Sequence, residues 1–196
     1  MRKIVAGEFV SVDGVLEAPH EWHFPYWSDE MGAVVGEQMA NADAMLLGRV
    51  TFQEFASFWP DKTEDEVPGA AQMNDTQKYV VSTTLDDVSA WQNSTLISGD
   101  VAAEIAALKQ QPGGDIGVTG SATLVQWLLR EGLLDELHLL IHPITLGSGK
   151  RILDEKAGKV PLRLVESRTL PNGVLYAIYA PDRSAGEREE AAQGAA

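Results

Sequence analysis

Cysteine is absent from this chain of 196 residues. The absence excludes disulfide bonds, thiolate nucleophiles, iron–sulfur clusters and zinc sites with cysteine ligands. It also excludes the cysteine-containing signature of the zinc-dependent nucleobase deaminases. Redox sensing through thiol oxidation is excluded for the same reason.

Basic residues are scarce, with 15 Lys and Arg against 29 Asp and Glu, and the formal net charge is −14. Such a charge repels the nucleic-acid backbone, and the basic residues form no stripe that could follow it, so nucleic acid is not an expected partner. A small anionic ligand is also repelled at long range. A phosphate site must therefore be built locally from backbone N–H groups and a few cations.

Long apolar runs are missing as well. Nowhere do about 18 apolar residues follow one another, which is the length that a membrane-spanning helix needs. The apolar stretch at the start of the chain is interrupted by Glu8, well short of a signal-peptide core. We therefore expect a soluble cytoplasmic protein with no membrane partner.

The composition is that of a globular domain, with 44% apolar and 22% charged residues. The length suits a single domain, which we expect to span residues 1–180. From residue 181 to 196 the sequence turns to Ala, Glu, Gly and Arg without periodicity. This terminal segment is predicted to be a disordered tail.

Strand and helix patterns alternate through the first two thirds of the domain. Strands are predicted near residues 3–10, 44–47, 79–82, 95–98 and 115–118, and helices over residues 29–41, from 51 to before Pro60, 101–108 and 122–131. Three further strand patterns follow at residues 136–145, 162–169 and 174–180, and a Pro-Asn-Gly hairpin signal separates the last two. The pattern predicts an α/β fold with a mixed, mainly parallel central sheet flanked by helices and an antiparallel C-terminal edge.

Two strand-to-helix turns have the residues of a phosphate site. Residues 118–123 read Val-Thr-Gly-Ser-Ala-Thr, where a glycine allows close backbone approach and the next helix directs free N–H groups at the turn. Residues 47–51 read Leu-Gly-Arg-Val-Thr and add a guanidinium and a hydroxyl. The alternatives are an ordinary N-capped helix at the first turn and a surface ion pair for Arg49 at the second.

Together with three hydroxyls at residues 82–84, these turns resemble the dihydrofolate reductase family, and more closely the branch of the riboflavin-pathway pyrimidine reductase and its stand-alone relatives. The resemblance covers roughly residues 3–180. Its other carriers are Ser-Val-Asp-Gly at residues 11–14 and Pro-Ile-Thr-Leu-Gly-Ser-Gly at residues 143–149. It implies an NADPH-dependent reductase that acts on a small molecule, and a homodimer.

Cofactor-binding positions follow from the resemblance, residue by residue. It implies that the pyrophosphate is held by Gly120, Ser121, Ala122 and Thr123, that Gly48, Arg49 and Thr51 meet the phosphates, that Ser82 and Thr83 meet the 2′-phosphate side, and that Phe9, Ser11 and Leu16 lie against the nicotinamide. These positions carry a cation and hydroxyls but no acid, which favours NADPH over NADH.

The substrate side is less defined. An aromatic loop after the first strand contains Trp22 and Phe24, and with Asp13 these are the candidates for substrate contact. Core packing or a dimer face is an equally good interpretation of the loop. His138 and His142 stand roughly 13 Å apart along a strand, too far for one ion, and no metal is expected.

Folate-reducing members of the family have one acid on the helix after this loop, where it supports protonation of the substrate. Asp29 and Glu30 both stand near that position, and Asp29 is expected to face the pocket because Glu30 lies closer to the buried stripe of the helix. Either acid is also an ordinary first-turn residue favoured by the helix dipole. A nucleotide-binding or regulatory module without turnover, and a structural partner that uses the aromatic loop as an interface, remain as alternative functions.

Overall fold

The computed structural model describes residues 1–182 and 184, which form one eight-stranded sheet covered by helices. The strands are β1 (Ile4–Ser11), β2 (Ala42–Gly48), β3 (Gln77–Val81), β4 (Ser94–Ile97), β5 (Asp115–Val118), β6 (Glu136–His142), β7 (Leu162–Thr169) and β8 (Leu175–Pro181). The helices are α1 (Asp29–Asn41), α2 (Arg49–Ala56), α3 (Ala70–Asp75), α4 (Val101–Gln110) and α5 (Ala122–Arg130).

The strand order is β4-β3-β2-β5-β1-β6-β8-β7. The pairs from β4 to β6 are all parallel, whereas β8 runs antiparallel to both β6 and β7. The mainly parallel sheet with an antiparallel C-terminal edge is therefore confirmed. Parallel strands end at the same edge of a sheet, so β1, β2 and β5 bring their last residues together in the middle of it.

The core lies on both faces of the sheet. Ile4, Ala6 and Val10 of β1 pack on one face with α4 and α5, whereas Met31 and Val34 of α1 pack with residues of β6 and β8 on the other. This two-sided burial explains why the central strands have few polar positions. A third cluster, which includes Phe52 and Trp91, fills the space around α2 and α3.

Helix boundaries follow local capping chemistry. The Ser28 hydroxyl accepts a hydrogen bond from the Met31 N–H at 3.2 Å and begins α1. Gly132 has φ +67° just after α5, the left-handed conformation that glycine adopts at a helix end. The structure differs from expectation at α2, which begins at Arg49, and at α3, a short helix in a segment for which the sequence pattern predicts no helix. Six residues, of which Ala70 and Met73 are buried, are too few to give a helical period.

The last strand, β8, ends at Pro181, one residue beyond the predicted strand. The predicted tail from there to residue 196 lies almost entirely outside the described residues. Within the described part of the chain, no helix is long and apolar enough to cross a membrane.

Candidate active site

A cavity of about 530 Å³ opens at the carboxyl ends of the central strands. Nine of the twelve predicted cofactor-binding residues line it: Phe9, Leu16, Gly48, Arg49, Thr51, Gly120, Ser121, Ala122 and Thr123. They come together because β2, β5 and β1 are neighbours and each ends at this edge. We refer to it as the first cavity.

The two turns of the first cavity are packed against each other. Gly120 and Ser121 have φ values of +63° and +59°, and a Cβ at Gly120 would lie 3.1 Å from the Thr51 side chain. A Cβ at Gly48 would overlap the Ser121 hydroxyl. The N-termini of α2 and α5 thus converge on one point, where their unpaired N–H groups and positive dipole ends favour an anion. The hydroxyl of Ser121, the N-cap residue of α5, accepts no capping hydrogen bond from the helix.

Cations line the same cavity. The Arg49 side chain is exposed, and its Nη1 donates to the amide oxygen of Gln53 at 3.0 Å. Among the described residues Arg49 has no ion pair, so the interpretation as a surface ion pair is not supported by the structure. Arg130 and Lys150 line the cavity as well, and Lys150 Nζ lies 3.5 Å from a carboxylate oxygen of Glu17.

Three predicted cofactor residues do not line the first cavity. The Ser82 hydroxyl accepts from the N–H groups of Thr84 and Leu85 at 3.1 and 3.0 Å, so it stabilises its own turn. Thr83 is exposed, and Val81 is the residue of this segment that reaches the cavity. Ser11 is buried, and its hydroxyl accepts from the Val15 N–H at 2.9 Å.

A second cavity, of about 420 Å³, lies over the sheet beside α1. It shares four lining residues with the first cavity, namely Glu8, Phe9, Phe55 and Thr119. Its apolar lining includes Val35, Met39 and Met45, with Trp59 beyond them. The two cavities therefore adjoin near the ends of β1 and β5.

A chain of polar groups crosses the second cavity. Lys3 Nζ donates to Glu136 Oε1 at 2.7 Å, and Glu136 Oε2 lies 3.0 Å from His138 Nε2. The Tyr176 hydroxyl lies 2.8 Å from His138 Nδ1, and the Gln38 amide nitrogen lies 3.3 Å from the same atom. We refer to this chain as the His138 network.

Hydrogen bonds in the His138 network shift the pKa values of Glu136 and Lys3. Burial alone would raise the pKa of Glu136, but the hydrogen bonds from Lys3 and His138 outweigh burial and lower that pKa. The contact with Glu136 raises the pKa of Lys3. When Nε2 donates to Glu136, the Nδ1 lone pair can accept from the Tyr176 hydroxyl or the Gln38 amide. A Cβ at Gly7 would overlap the Gln38 amide oxygen, so glycine lets Gln38 reach the sheet.

Glu8 is the functional candidate that the sequence analysis missed. Its side chain is buried and lines both cavities. Burial raises its pKa well above the ordinary value, although the hydrogen bond from the Gly120 N–H opposes the shift. A signal was present, because Glu8 occupies an inward position of β1 that it shares with Ile4, Ala6 and Val10. Burying an acid at such a position costs free energy of folding, so its presence there indicates a role.

Neither of the predicted catalytic acids reaches these cavities. Asp29 and Glu30 are both exposed in the first turn of α1, and neither lines the first or the second cavity. The expectation that one of them faces the pocket is not met in the structure. Both fit the alternative of ordinary first-turn acids beside a helix N-terminus.

The aromatic loop lies behind the site. Trp22 is buried, its ring 5.1 Å from that of His142, and His23 stacks on Phe9 with ring centroids 4.8 Å apart. Phe24 is 63% exposed, and neither Trp22 nor Phe24 lines the first or the second cavity. The loop therefore packs against Phe9 through the His23 ring.

The Asp13 carboxylate is held by hydrogen bonds from neighbouring loop residues. Its carboxylate accepts from the Ser11 hydroxyl at 2.6 Å and from the N–H groups of Leu146 and Gly147 at 3.1 and 2.9 Å. These bonds lower the pKa of Asp13 to about 2. Asp13 thus holds residues 143–149 against the end of β1 and does not line either cavity.

The fold and the paired cavities define an α/β protein with the dihydrofolate-reductase-like architecture. The chain belongs to the family described as the RibD C-terminal domain, which matches residues 2–176, and this indicates a protein of the reductase type. The uncharacterized protein YyaP of Bacillus subtilis (strain 168) is 30% identical over 182 residues, 91% of this chain and 94% of that protein. The family suggested by the sequence motifs is confirmed.

Solved structures agree on the fold. A candidate riboflavin biosynthesis protein from Shewanella sp. PV-4 has a TM-score of 0.71 at 22% identity and covers 93% of this chain and 100% of its own. Dihydrofolate reductase from Enterococcus faecalis, complexed with NADP(H) and RAB-propyl, has a TM-score of 0.62 at 15% identity and covers 92% of this chain and 96% of its own. Within the described residues, no group of three or more His, Asp or Glu is placed to hold a metal ion.

Proposed function

We propose that the protein is an NADPH-dependent reductase that transfers hydride to a C=N or carbonyl carbon of a small heterocyclic or sugar-derived substrate. The observation that carries the proposal is the meeting of two cavities at Glu8, Phe9, Phe55 and Thr119. A reaction between two bound molecules needs such a junction, because hydride passes only between groups in contact.

The first cavity fits a dinucleotide. Backbone N–H groups at the start of α5 are suited to a pyrophosphate and the exposed Arg49 guanidinium to the 2′-phosphate, while the glycines at 48 and 120 let the two turns pack closely together. Bound there, the cofactor supplies the hydride. Phe9 and Leu16 form an apolar wall against which the nicotinamide would lie, so that one ring face is left for the substrate.

The second cavity fits a small molecule without a phosphate group. Lys3 is the one cation among its lining residues, and it is already bonded to Glu136. Asp115 and Glu136 make the remaining charge negative, whereas the cations Arg49, Arg130 and Lys150 line the first cavity. We infer that the substrate is an uncharged or cationic ring, such as a pterin or an amino-pyrimidine, bound without its sugar phosphate.

Titration with reduced cofactors tests the proposal. NADPH is expected to bind at least about tenfold more tightly than NADH, equivalent to roughly 1.4 kcal/mol. The NADPH-loaded protein is then screened for oxidation of the cofactor with pterins, amino-pyrimidines and small carbonyl compounds. Binding without oxidation would favour a non-catalytic nucleotide-binding or regulatory module, and absence of binding would favour a structural partner.

We further propose that the protein is a cytoplasmic homodimer, as the family resemblance implies. Exposed apolar side chains are available for such a contact at Phe24, Trp27, Leu164 and Val165. Sedimentation equilibrium gives the mass in solution, and a monomer at all concentrations would refute the dimer.

A further inference from the structure

Glu8 lies where the two cavities meet and is 4% exposed. It is an acid on β1, between β5 and β6 in the centre of the sheet. The charged or titratable groups around the two cavities are Lys3, Asp115, Glu136 and His138 on one side and Glu17, Arg49, Glu54, Arg130 and Lys150 on the other. None of them is a hydrogen-bond or ion-pair partner of Glu8 in the described part of the chain.

The two carboxyl oxygens of Glu8 have different environments. Oε2 accepts the Gly120 N–H at 2.9 Å, whereas Oε1 is buried and has no partner among the described residues. Because Oε2 is held as an acceptor, the proton of the neutral acid is carried by Oε1. A buried donor without an acceptor costs free energy, and a ligand that supplies the acceptor would recover it.

We propose that Glu8 is the acid that protonates the substrate at the junction of the two cavities. This inference rests on the proposed function and assigns Glu8 the role that the sequence analysis gave to Asp29 or Glu30. In the reaction, hydride from NADPH forms a C–H bond at the substrate carbon, and the proton from Glu8 Oε1 forms an N–H bond at the adjacent nitrogen. The C=N π bond is lost, NADPH is oxidised to NADP⁺, and the Glu8 carboxylate takes one proton back from water.

Burial raises the pKa of Glu8 well above the ordinary value of a glutamate, which favours the neutral form that this geometry needs. An acid is useful as a proton donor when its pKa is near the working pH. The Gly120 N–H also connects Glu8 to the turn at the start of α5. Binding of the cofactor at that turn is therefore expected to alter the environment of the Glu8 carboxyl.

The first experiment needs no substrate. Difference infrared spectra at pH 7 are recorded for the wild type, Glu8→Gln and the control Glu37→Gln, an exposed acid of α1 that lines neither cavity. The band of a protonated carboxyl is expected in the wild type and in Glu37→Gln but not in Glu8→Gln, and saturating NADPH is expected to shift it. Glu8→Gln retains an oxygen for the Gly120 N–H and is nearly isosteric, and circular dichroism verifies that it is folded.

Two outcomes would overturn the inference, and they are distinguishable. If NADPH binds but the band is missing or does not respond, Glu8 is not the acid, although the proposed function stands. If calorimetry detects no NADPH binding, the proposed function fails and the inference fails with it.

Kinetics provide the second experiment once the screen has found a substrate. Glu8→Gln is expected to lower kcat by about 100-fold, the lower end for loss of a general acid, with the Kd for NADPH changed less than about threefold. The wild-type rate should fall as pH rises through the pKa of Glu8, and this limb should be absent from Glu8→Gln. An unchanged kcat and pH profile would show that protonation comes from elsewhere.

Discussion

The two cavities are built in different ways. The first is made of short contiguous segments at strand ends, residues 48–51 and 119–123, which present backbone N–H groups and a guanidinium. The second is made of single side chains from distant elements, such as Lys3, Gln38 and His138, which are joined by hydrogen bonds. The first therefore presents mainly backbone groups that favour an anion, and the second presents a specific set of side-chain donors and acceptors.

The largest effect is expected at Arg49. Arg49→Ala removes a charge-assisted contact with the 2′-phosphate of the cofactor and should weaken NADPH binding by roughly 1.5–3 kcal/mol, or about 10–150-fold. NADH should lose much less affinity, and the melting temperature should change little because Arg49 is exposed.

Calorimetric titration of both cofactors gives the answer for Arg49. Arg163→Ala is the matched control, an exposed arginine of the edge strand β7 that lines neither cavity. Equal losses for NADPH and NADH together with a collapse in melting temperature would make Arg49 a structural residue.

The next effect separates the shape of the first cavity from its charge. Gly120→Ala forces a Cβ into the left-handed conformation and against Thr51, and it should cost about 1–2 kcal/mol of unfolding free energy from the conformation alone. Gly132→Ala has nearly the same φ but meets no atom within 4 Å, so it is a matched control for backbone strain. Only Gly120→Ala should also weaken NADPH binding, and equal cofactor affinity in the two variants would show that the turn does not contact the cofactor.

A smaller effect concerns ligand charge in the second cavity. Uracil and uridine 5′-monophosphate are compared as probes of the NADPH-loaded protein, and the nucleotide should bind at least about tenfold more weakly, a difference of roughly 1.4 kcal/mol. The reason is that a phosphate brings close to two negative charges into a cavity whose one cation is already paired. Tighter binding of the nucleotide would refute the inference of an unphosphorylated substrate.

The contrast between the cavities also explains how far sequence reasoning reached. Gly48 and Arg49, or Gly120 and Ser121, are neighbours in the chain, so a local motif contains most of the first cavity. Lys3 and Gln38 reach Glu136 and His138 only because β6 pairs with β1, with Gly7 of β1 opposite His138. Because the sequence alone does not give the order of the strands in the sheet, it does not predict contacts of this kind.

The structure places Asp29 and Glu30 away from the two cavities for a related reason. Helical spacing predicts α1 and a buried stripe of Met31, Val34, Val35 and Met39. The helix is confirmed, Met31 and Val34 are buried, and Val35 and Met39 are half-buried. Helical spacing does not give the direction of the first turn relative to the site, which depends on the course of the aromatic loop before it. Asp29 and Glu30 are therefore at the exposed end of the helix.

The smallest effect is expected in the His138 network. Tyr176→Phe removes the hydroxyl that lies 2.8 Å from His138 Nδ1, which should cost about 0.5–1.5 kcal/mol of unfolding free energy. Tyr79→Phe is the control, since the Tyr79 hydroxyl has no hydrogen bond among the described residues. NADPH affinity should remain unchanged in both variants, because neither tyrosine lines the first cavity. KM for a substrate found in the screen should rise only in Tyr176→Phe, since His138 loses an acceptor bond that orients its ring in the second cavity. If Tyr176→Phe weakens NADPH binding instead, the two cavities do not divide the cofactor and the substrate between them.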